Sequence, residues 1–466
     1  MPPSFVRSSK FRHVFGTGAK RPDNAYENIK VSGSAWDTNL VKVNPKFLSV
    51  NLEAGGGGSF AVIPLERTGK QQDNLPCFNG HSAPVLDTDF NPFNDNIIAS
   101  SSEDCKVMIW NIPEEGLKDN ITTPVISLNG HDRKVGHVLF HPVADNVLAS
   151  ASGDLTVRIW DITNGEEKVQ LSGHSEIIQS ISWSYNGSLL CTSCRDKTLR
   201  VFDVRAGKIA METSGHQGVK GSRAVWMGDL DKIATTGFSR TSDRQLFIFD
   251  TKNFGSPIVQ ENIDTSSGVL MPFYDNDTRM IYLAGKGDGN IRYYEFVDDN
   301  KQLYFLSEYK SSEPQRGMGY LPKRAVNTSE VEVARLYKLH HNAVEPISFR
   351  VPRKSDNFAS DIYTDTCDGK PALTCEEFFS GKDADPILFS LKDGFVPIKR
   401  EFSVDNEAAA ASLAHNEEKM PTTEKELKEA YKEMKKEIEQ LKSTITQKDV
   451  KIRQLEAQIE QMNLNK

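Results

Sequence analysis

Long apolar runs are missing from this chain of 466 residues, in which no stretch of 18 consecutive residues is apolar. A membrane-spanning helix needs about 20 such residues, so we expect none. The first seven residues also lack the apolar centre of a secretory signal. These absences predict a protein of the cytoplasm.

Cysteine is scarce as well, because six cysteines in a chain of this length do not make a disulfide framework. Cys191 and Cys194 form a C-x-x-C pair, which is the spacing of a redox pair or of half a zinc site. They lie in an apolar run that predicts a strand, where residues three apart point to opposite faces. We interpret them as buried strand cysteines, and we expect no metal site and no cofactor.

Signs of catalysis are missing too. The chain has no nucleophile elbow and no set of metal ligands, and His340 and His341 form an isolated pair. The four glycines from Gly55 to Gly58 are not followed by the Gly-Lys-Ser/Thr of a phosphate-binding loop, so a hairpin turn is the better interpretation. The sequence predicts that the protein is not an enzyme and has no catalytic residues.

Positive charge is in deficit overall, and the net charge of −8 disfavours a nucleic-acid partner. The first 30 residues are nevertheless basic, because their six positive side chains face only two acids, Asp23 and Glu27. Such a segment is expected where a surface meets an acidic partner. The six basic residues are Arg7, Lys10, Arg12, Lys20, Arg21 and Lys30.

A repeated pattern occupies the middle of the chain, and its clearest copy runs from Gly130 to Asp161. A Gly-His pair precedes two short apolar runs, a turn that contains Asp154, and a closing strand that carries Trp160. In each copy the Asp lies six residues before the aromatic residue, and the histidines fall 50, 43 and 42 residues apart. The pattern resembles the WD repeat, whose period of about 40 to 45 residues builds a β-propeller.

The resemblance to WD proteins implies a polar network inside each blade. In it the His, the turn Asp, a hydroxyl two residues before that Asp and the Trp hydrogen-bond to one another. Cys194 occupies the hydroxyl position of the third copy, and Phe202 and Phe249 replace Trp in the third and fourth, so we expect these two blades to depend more on packing. The residues assigned to the network are His81, Ser102, Asp104 and Trp110, then His131, Ser152, Asp154 and Trp160, then His174 and Asp196, and last His216 and Asp243.

Seven blades account for residues 1–352: one divergent blade, four clear repeats, a copy at Asp288 that lacks the Gly-His pair, and a last blade. Residues 10–15 alternate polar and apolar side chains, which predicts a strand. Since a propeller must close its ring to protect its strand edges, we expect that strand to complete the last blade. The predicted fold is an all-β, seven-bladed WD-repeat β-propeller.

Three further segments follow the propeller. Residues 353–402 lose the repeat but keep aromatic clusters, which predicts an extension packed on the propeller, and residues 403–421 have the composition of a flexible linker. Residues 422–466 carry apolar side chains at alternating spacings of four and three, the pattern of an α-helical coiled coil. Its core positions are Leu427, Tyr431, Met434, Ile438, Leu441, Ile445, Ile452, Leu455, Ile459 and Met462.

Charges beside this core favour self-association. Glu437 would face Lys442 of a parallel neighbour, and Lys451 would face Glu456 in the same way. Isoleucine at the first core position of the heptad and leucine at the second favours two strands. The sequence therefore predicts a parallel homo-oligomer.

Several segments together resemble the coronin family. They cover nearly the whole chain, and those after residue 236 are diagnostic because ordinary WD repeats lack them. The short linker is similar to that of the coronins of amoeboid protists. The segments are Ser9 to Phe15, Val43 to Phe47, Glu103 to Cys105, Thr236 to Arg240, Met271 to Asp275, Gly285 to Asp288, Glu313 to Met318 and Val351 to Asp356.

This resemblance implies that the propeller binds actin filaments (F-actin), that the coil forms oligomers, and that the protein regulates the actin-related-protein nucleation complex. It also implies filament cross-linking at the cell cortex, in the actin cytoskeleton that serves cell migration and phagocytosis. In the family a basic residue near the amino terminus contacts the filament; the matching position is Lys30, with Arg12, Lys20 and Arg21 as neighbours. Family coils often carry a trimer motif led by Arg, whereas Lys451 leads the matching segment here, so dimer and trimer both stay open.

An alternative interpretation is a general WD-repeat scaffold for protein complexes. In that case the propeller would read a peptide and the coil would recruit another protein, as in trafficking or ubiquitin-ligase adaptors. Co-sedimentation with purified filaments distinguishes the two interpretations.

Overall fold

Seven mainly antiparallel sheets, in contact through their innermost strands, form a propeller in the computed structural model of this protein. It describes residues 8–19, 24–353, 357–396, 400–414 and 435. The chain divides into two compact units, residues 1–412 and 413–466, and the sheets belong to the first. The predicted seven-bladed all-β propeller is confirmed. The core positions predicted for the coiled coil lie outside the described residues, as do Lys20 and Arg21.

Blades 1 to 6 each consist of four strands that follow chain order from the innermost to the outermost. Blade 1 contains Val41–Val43, Phe47–Leu52, Gly58–Pro64 and Cys77–His81. Blade 2 contains Val85–Phe90, Ile97–Ser102, Val107–Asn111 and Ile126–Leu128. Blade 3 contains Val135–Phe140, Val147–Ser152, Val157–Asp161 and Glu166–Leu171. Blade 4 contains Ile178–Trp183, Leu189–Cys194, Thr198–Asp203 and Lys208–Ser214. Blade 5 contains Arg223–Trp226, Lys232–Phe238, Arg244–Asp250 and Val259–Asp264. Blade 6 contains Leu270–Asp275, Met280–Gly285, Asn290–Phe296 and Leu303–Lys310.

Alternation along the strands explains why the blades stack. In blade 3, Val147, Ala149 and Ile159 pack with the apolar residues of blade 4. Leu148 and Trp160 point to the other side of the same sheet and pack with blade 2. Because successive residues of a strand face opposite sides, one apolar run supplies two interfaces. Each blade lies between two others, so its strands need apolar side chains on both faces.

Blade 7 combines the two ends of the propeller sequence. Its inner strands are Gly317–Tyr320, Glu332–Leu339 and Val344–Arg350, and its outer edge is formed by Phe15–Gly18, which pairs with residues 347–350. The short strand Tyr26–Glu27 continues this edge, since Tyr26 pairs with Val344 and the strand runs parallel to Gly69–Lys70. The amino-terminal segment thus closes the ring.

The strand expected over residues 10–15 is displaced in the structure. Residues 10–13 form a turn, closed by a hydrogen bond of 3.0 Å from the Val14 amide to the Phe11 carbonyl, and the strand begins only at Phe15. The alternation reflects this turn, because Phe11 and Val14 are both buried in the core beneath blades 6 and 7. A turn that buries residues three apart imitates a strand pattern over so short a stretch.

The propeller has two faces, which we call upper and lower. The upper face carries the loops between blades, with the Gly-His pairs, and the turns between the second and third strands, with the repeated Asp. The glycine-rich hairpin of blade 1 lies on this face: Gly57 has a φ of 71°, and a Cβ on Gly58 would lie 2.0 Å from the Ala83 carbonyl oxygen. The lower face carries the loops between first and second strands.

The extension packs along the lower face. Ile362 and Tyr363 join the core of blades 6 and 7, and the Tyr363 hydroxyl donates to the Glu332 carbonyl at 2.8 Å. Leu373 and Phe378 join the core of blades 3 and 4, where Phe378 lies 4.5 Å from the ring of His141. Within the extension, Thr366–Cys367 pairs with Leu388–Phe389, and a helix spans Cys375–Phe379.

Part of the predicted linker is ordered as a helix, Asn406–Ala414. Asp405 caps it by accepting the amide of Glu407 at 2.8 Å, and its alanine run has high helix propensity. The Ser412 hydroxyl accepts the Ser127 amide at 3.2 Å, which ties the helix to the outer strand of blade 2. Neither helix of the described chain is long and apolar enough to cross a membrane.

Candidate functional site

Blade 3 holds a polar network of four side chains. Trp160 donates its indole N–H to the Ser150 hydroxyl at 2.8 Å, and that hydroxyl lies 2.8 Å from His131 Nε2. His131 Nδ1 lies 2.8 Å from the Asp154 carboxylate, which also accepts the Asp132 amide at 3.2 Å. Blade 2 repeats this geometry with His81, Ser100, Asp104 and Trp110.

The charge of the turn Asp is fixed by this arrangement. Burial alone would raise the pKa of Asp154, but hydrogen bonds from His131 and Thr156 outweigh it and hold the pKa below its ordinary value. The pKa of Asp104 is lowered in the same way, with His81 as its partner. The groups of each network satisfy one another and leave no nucleophile or base directed at solvent. We conclude that the networks hold the turns in place.

The assignment of the hydroxyl position to Ser102 and Ser152 is wrong. The hydroxyl that joins the network belongs to Ser100 and Ser150, four residues before the Asp. Ser152 ends its strand, where it donates to the Arg133 carbonyl at 2.8 Å and accepts the Asp154 amide at 3.1 Å. Its hydroxyl therefore stabilises the backbone of the turn and does not contact the imidazole. The sequence contained the signal, because Thr192 stands four residues before its Asp in the third copy.

Blade 4 keeps only part of the network. His174 Nε2 lies 2.9 Å from the Thr192 hydroxyl, but its Nδ1 faces the Leu155 carbonyl at 3.2 Å instead of Asp196. Asp196 accepts the Ser175 hydroxyl at 3.0 Å and pairs at 2.9 Å with Arg200 of the third strand. The ring of Phe202, which cannot donate, lies 5.3 Å from the imidazole.

Blade 5 departs further. His216 Nε2 lies 3.0 Å from the Thr235 hydroxyl, while its Nδ1 has no partner among the described atoms. The imidazole stacks on Phe247 at a centroid distance of 4.1 Å. Asp243 is occupied by the hydroxyls of its own turn and does not reach the imidazole. Ring packing thus replaces the carboxylate contact in this blade.

The described basic residues of the amino-terminal segment do not form one cluster. Arg12 is half-buried and precedes Phe15, which pairs with Arg350 at the lower end of blade 7. Lys30 is exposed and follows Tyr26, which pairs with Val344 at the upper end. The strand between these ends spans roughly 20 Å at about 3.3 Å per residue. Arg12 therefore lies near the lower end of blade 7, whereas Lys30 lies on the upper side, between blades 7 and 1.

Family models match three parts of the chain. Residues 4–70 match a domain of unknown function, DUF1899, which covers the amino-terminal segment. Residues 72–111, 122–161 and 165–203 match the WD domain, G-beta repeat, and residues 344–386 match a further type of WD40 repeat. Each of the three repeats of the first type contains the outermost strand of one blade and the first three strands of the next. The last match begins with the strand Val344–Arg350 of blade 7 and continues into the extension.

A curated relative decides the family. Coronin-A of Dictyostelium discoideum is 52% identical over 424 residues, which cover 91% of this chain and 93% of the relative. The chain belongs to the coronin family. The WD40 domain of Toxoplasma gondii coronin is similar in structure, with a TM-score of 0.78 and 30% identity over 82% of this chain and 97% of that domain. A chain of the mitotic checkpoint complex, at 13% identity and a TM-score of 0.54 over 75% of this chain and 97% of its own length, shares the fold alone.

The axis of this coronin propeller is a channel lined by charged as well as apolar side chains, and no sequence pattern predicted it. A cavity of about 450 Å³ is lined by residues of the innermost strands of all seven blades. Lys42 pairs with Asp89 at 2.9 Å, and Asp89 also accepts the Phe140 amide at 2.8 Å. Burial raises the pKa of Asp87 to about 6 and lowers that of His137 to about 3. Such residues lie at strand positions where alternation alone predicts core.

A loop crosses the upper mouth of the channel in this coronin. Trp36 donates its indole N–H to the Gly136 carbonyl of blade 3 at 2.9 Å. Asp37 pairs with Lys286, beside blade 6, at 3.1 Å. Burial, together with the nearby Arg223, lowers the pKa of Lys286 to about 8. The loop thus ties the amino-terminal segment to two blades on opposite sides of the ring.

Cys191 and Cys194 are both buried in the second strand of blade 4. Burial raises the pKa of Cys194 to about 11, and its thiol donates to the Glu176 carbonyl at 3.1 Å. Among the residues that the structure describes, no group of three or more His, Cys, Asp and Glu side chains could hold a metal ion.

Proposed function

We propose that the protein binds actin filaments through the amino-terminal edge of its propeller and cross-links them as a homo-oligomer. It acts in the cytoplasm, at the actin cytoskeleton of the cell cortex. The observation that carries this proposal is an exposed Lys30, on a backbone held between blades 7 and 1, in a chain of the coronin family. The resemblance assigns filament contact to that position.

The backbone around Lys30 is held rigidly while its side chain is free to reach a partner. The Ile29 amide donates to the Asn342 carbonyl of blade 7 at 2.9 Å, and the buried Ile29 side chain anchors this segment. The Glu53 amide of blade 1 donates to the Lys30 carbonyl at 2.9 Å. A charge presented on a fixed backbone loses little conformational entropy on binding. An acidic filament would therefore be attracted in a salt-sensitive way.

The contact is elongated in this proposal. Lys30 lies on the upper side, between blades 7 and 1, and Arg12 lies near the lower end of blade 7, so a filament that touches both spans the height of the propeller on this side. Lys20 and Arg21, which stand between them in the sequence, are also proposed to contact the filament. Charge spread over roughly 20 Å matches an extended polymer surface better than a compact pocket would.

Oligomerisation supplies the cross-linking step. The coiled coil proposed for residues 422–466, a dimer or a trimer, would join two or three propellers. Tethering raises the effective concentration of the second propeller once the first has bound, so weak contacts become strong attachment without new interactions. Regulation of the actin-related-protein nucleation complex is assigned to the same coiled-coil region.

The first prediction tests Lys30. Lys30→Asp should weaken co-sedimentation with purified filaments about tenfold, the equivalent of roughly 1.4 kcal/mol of lost charge attraction. The melting temperature should not change, because the side chain is exposed.

Lys208→Asp is the matched control, since Lys208 is an exposed lysine on the outer strand of blade 4, across the ring from blade 7. Equal loss in both variants would show that only overall charge matters. No loss in either, or no filament binding by the intact protein at low salt, would contradict the proposal and favour the scaffold interpretation.

A further inference from the structure

A second cavity opens at the upper mouth of the channel, beneath the loop that carries Trp36. Its volume is about 240 Å³, and blades 3, 4 and 5 meet around it. Its walls include the Trp36 indole, Ile177 and Val219. Val219 is 79% exposed, so the cavity has an apolar lip that faces solvent. The cavity is distinct from the surface that carries Lys30.

Arg223 lies in the wall of this cavity and of the channel below it. It begins the innermost strand of blade 5, and only 8% of the residue is exposed. Its Nε and Nη2 atoms have no hydrogen-bond partner among the described atoms. A buried guanidinium without partners is unfavourable, and residues of this kind are normally paired.

The two carboxylates nearest to Arg223 are already engaged. Asp37 pairs with Lys286 at 3.1 Å, and Asp87 accepts the Val138 amide at 3.3 Å. Both acids act on Arg223 through space, yet neither forms an ion pair with it. Burial also raises the pKa of Asp87 to about 6, so its carboxylate neutralises the charge of Arg223 less completely. The positive charge of Arg223 is therefore left for another group.

His137 supplies a second unused atom in the same wall. The residue is 5% exposed, and its Nε2 has no partner among the described atoms. Burial lowers the pKa of His137 to about 3, and a backbone hydrogen bond with Ile178 opposes that effect. A neutral imidazole whose other nitrogen donates to a carbonyl presents Nε2 as an acceptor. The wall thus offers donors from Arg223 and an acceptor from His137.

A peptide residue with a carboxylate satisfies both. Its carboxylate oxygens accept from Arg223, and a backbone N–H of the same peptide donates to His137 Nε2. The rim adds exposed Arg195, and Lys134 lies 4.5 Å from the centre of the Trp36 ring. Positive charge at the rim attracts acidic sequence, and the indole offers apolar contact to the rest of the peptide.

We propose that this cavity binds a glutamate or aspartate side chain of an acidic segment of a partner protein, with Arg223 as its anchor. This site would give each propeller a second point of attachment. It does not depend on the surface that carries Lys30, so the two surfaces can be tested separately.

The test uses the full chain and the hexapeptide Ala-Glu-Glu-Ala-Glu-Glu-amide, labelled with fluorescein at its amino terminus, with a glutamine version that carries the same label as the matched probe. Binding is followed by anisotropy and by tryptophan fluorescence, since Trp36 is half-buried and the other four tryptophans are buried. We expect the glutamate peptide to bind at least tenfold more tightly than the glutamine peptide. Arg223→Gln should reduce glutamate-peptide binding at least tenfold and leave filament co-sedimentation unchanged.

Arg223→Met keeps the side-chain length without charge and serves as a second variant; its melting temperature should equal or exceed that of the native chain, because an unpaired buried charge is removed. Lys30→Asp should bind the peptide as the native chain does. Equal binding of both peptides, or of the native chain and both Arg223 variants, would overturn the proposal. Acetate that displaces the peptide at equal carboxylate concentration would also overturn it, since the cavity would then be an anion site without peptide recognition.

Discussion

Ser150 is the residue on which the polar network of blade 3 depends. Its hydroxyl is fully buried and contacts both the His131 imidazole and the Trp160 indole. If the imidazole donates from Nδ1 to Asp154, its Nε2 accepts the Ser150 proton while the serine oxygen accepts from Trp160. One atom therefore completes two hydrogen bonds. Thr192, the equivalent in blade 4, completes only one because Phe202 has no donor.

This difference gives the second prediction. Ser150→Ala should lower the free energy of unfolding by roughly 2–3 kcal/mol, because two buried polar groups lose their partner. Thr192→Val should cost roughly 1 kcal/mol, because one group does. Urea unfolding followed by circular dichroism measures both. A loss in Ser150→Ala no larger than that in Thr192→Val would show that the network does not stabilise blade 3 as described.

Four buried histidines produce the third prediction, a dependence of stability on pH. Burial lowers the pKa of His137 and His141 to about 3, and that of His174 and His216 to about 4. In the unfolded chain these groups take up protons near pH 6.5, so the unfolded state binds more protons between about pH 6.5 and 4. Stability should be full above pH 6.5 and should fall steadily below it.

His141→Gln tests this dependence against His341→Gln, because His141 is buried and His341 is exposed. The urea midpoint of the first variant should depend less on pH between 6.5 and 4.5 than that of the native chain, whatever its absolute value. The midpoint of the second should follow the native chain. A native midpoint that does not change over this range would contradict the pKa directions.

Residue patterns determined more of the fold than of the site. The Gly-His spacing and the repeated Asp predicted the blades, because each repeat must bury the same faces. They did not reveal Arg223 or His137, since a channel residue occupies the same alternating strand positions as a core residue. The hydroxyl position was misassigned because Ser100 and Ser102 point to the same face of one strand, and only the structure shows which reaches the imidazole.

At the scale of single elements, the strand Phe15–Gly18 is the part of the propeller edge that the rest of blade 7 cannot replace. It covers the edge of Val344–Arg350, and the turn before it buries Phe11 and Val14. The pattern of residues 10–15 pointed to this edge but shifted the strand, since both a turn and a strand can bury residues close together.

The fourth prediction concerns this element. Deletion of residues 1–18 should lower the melting temperature by several degrees and promote aggregation, because each buried apolar side chain contributes about 1.5–3 kcal/mol and an uncovered strand edge pairs with other chains. Deletion of residues 1–7 is the control and should leave the melting temperature unchanged. Calorimetry and size-exclusion chromatography measure both, and equal melting temperatures for the two deletions would contradict the role of the strand.

The helix Asn406–Ala414 shows why the boundary after the extension was difficult to predict. Its alanines favour a helix, but their lack of a strong apolar face indicated a linker. The helix is held on blade 2 by a hydrogen bond from the Ser127 amide to Ser412. A single contact of this kind leaves no periodic pattern in the sequence from which it could be predicted. Arg400, shortly before this helix, is also attached to the propeller, since it pairs with Asp145 of blade 3 at 2.7 Å.

At the scale of the whole molecule, the packed unit that ends at residue 412 defines the fragment to test. The fifth prediction is that residues 1–414 fold with the melting temperature of the first transition of the full chain, bind filaments weakly and fail to bundle them. The reason is that avidity requires at least two tethered propellers. Low-speed sedimentation measures bundling, high-speed sedimentation measures binding, and equal bundling by the fragment would contradict cross-linking through residues 422–466.

Ring closure also sets the order of events during synthesis. The strand Phe15–Gly18 leaves the ribosome roughly 330 residues before its partner strand, which takes about half a minute at 5–20 residues per second. Throughout that time the ring of blades is open, and the strand Phe15–Gly18 has no partner strand. A chain interrupted before residue 350 would carry two unfinished sheet edges, so cotranslational chaperones should associate with truncated forms more than with the completed one.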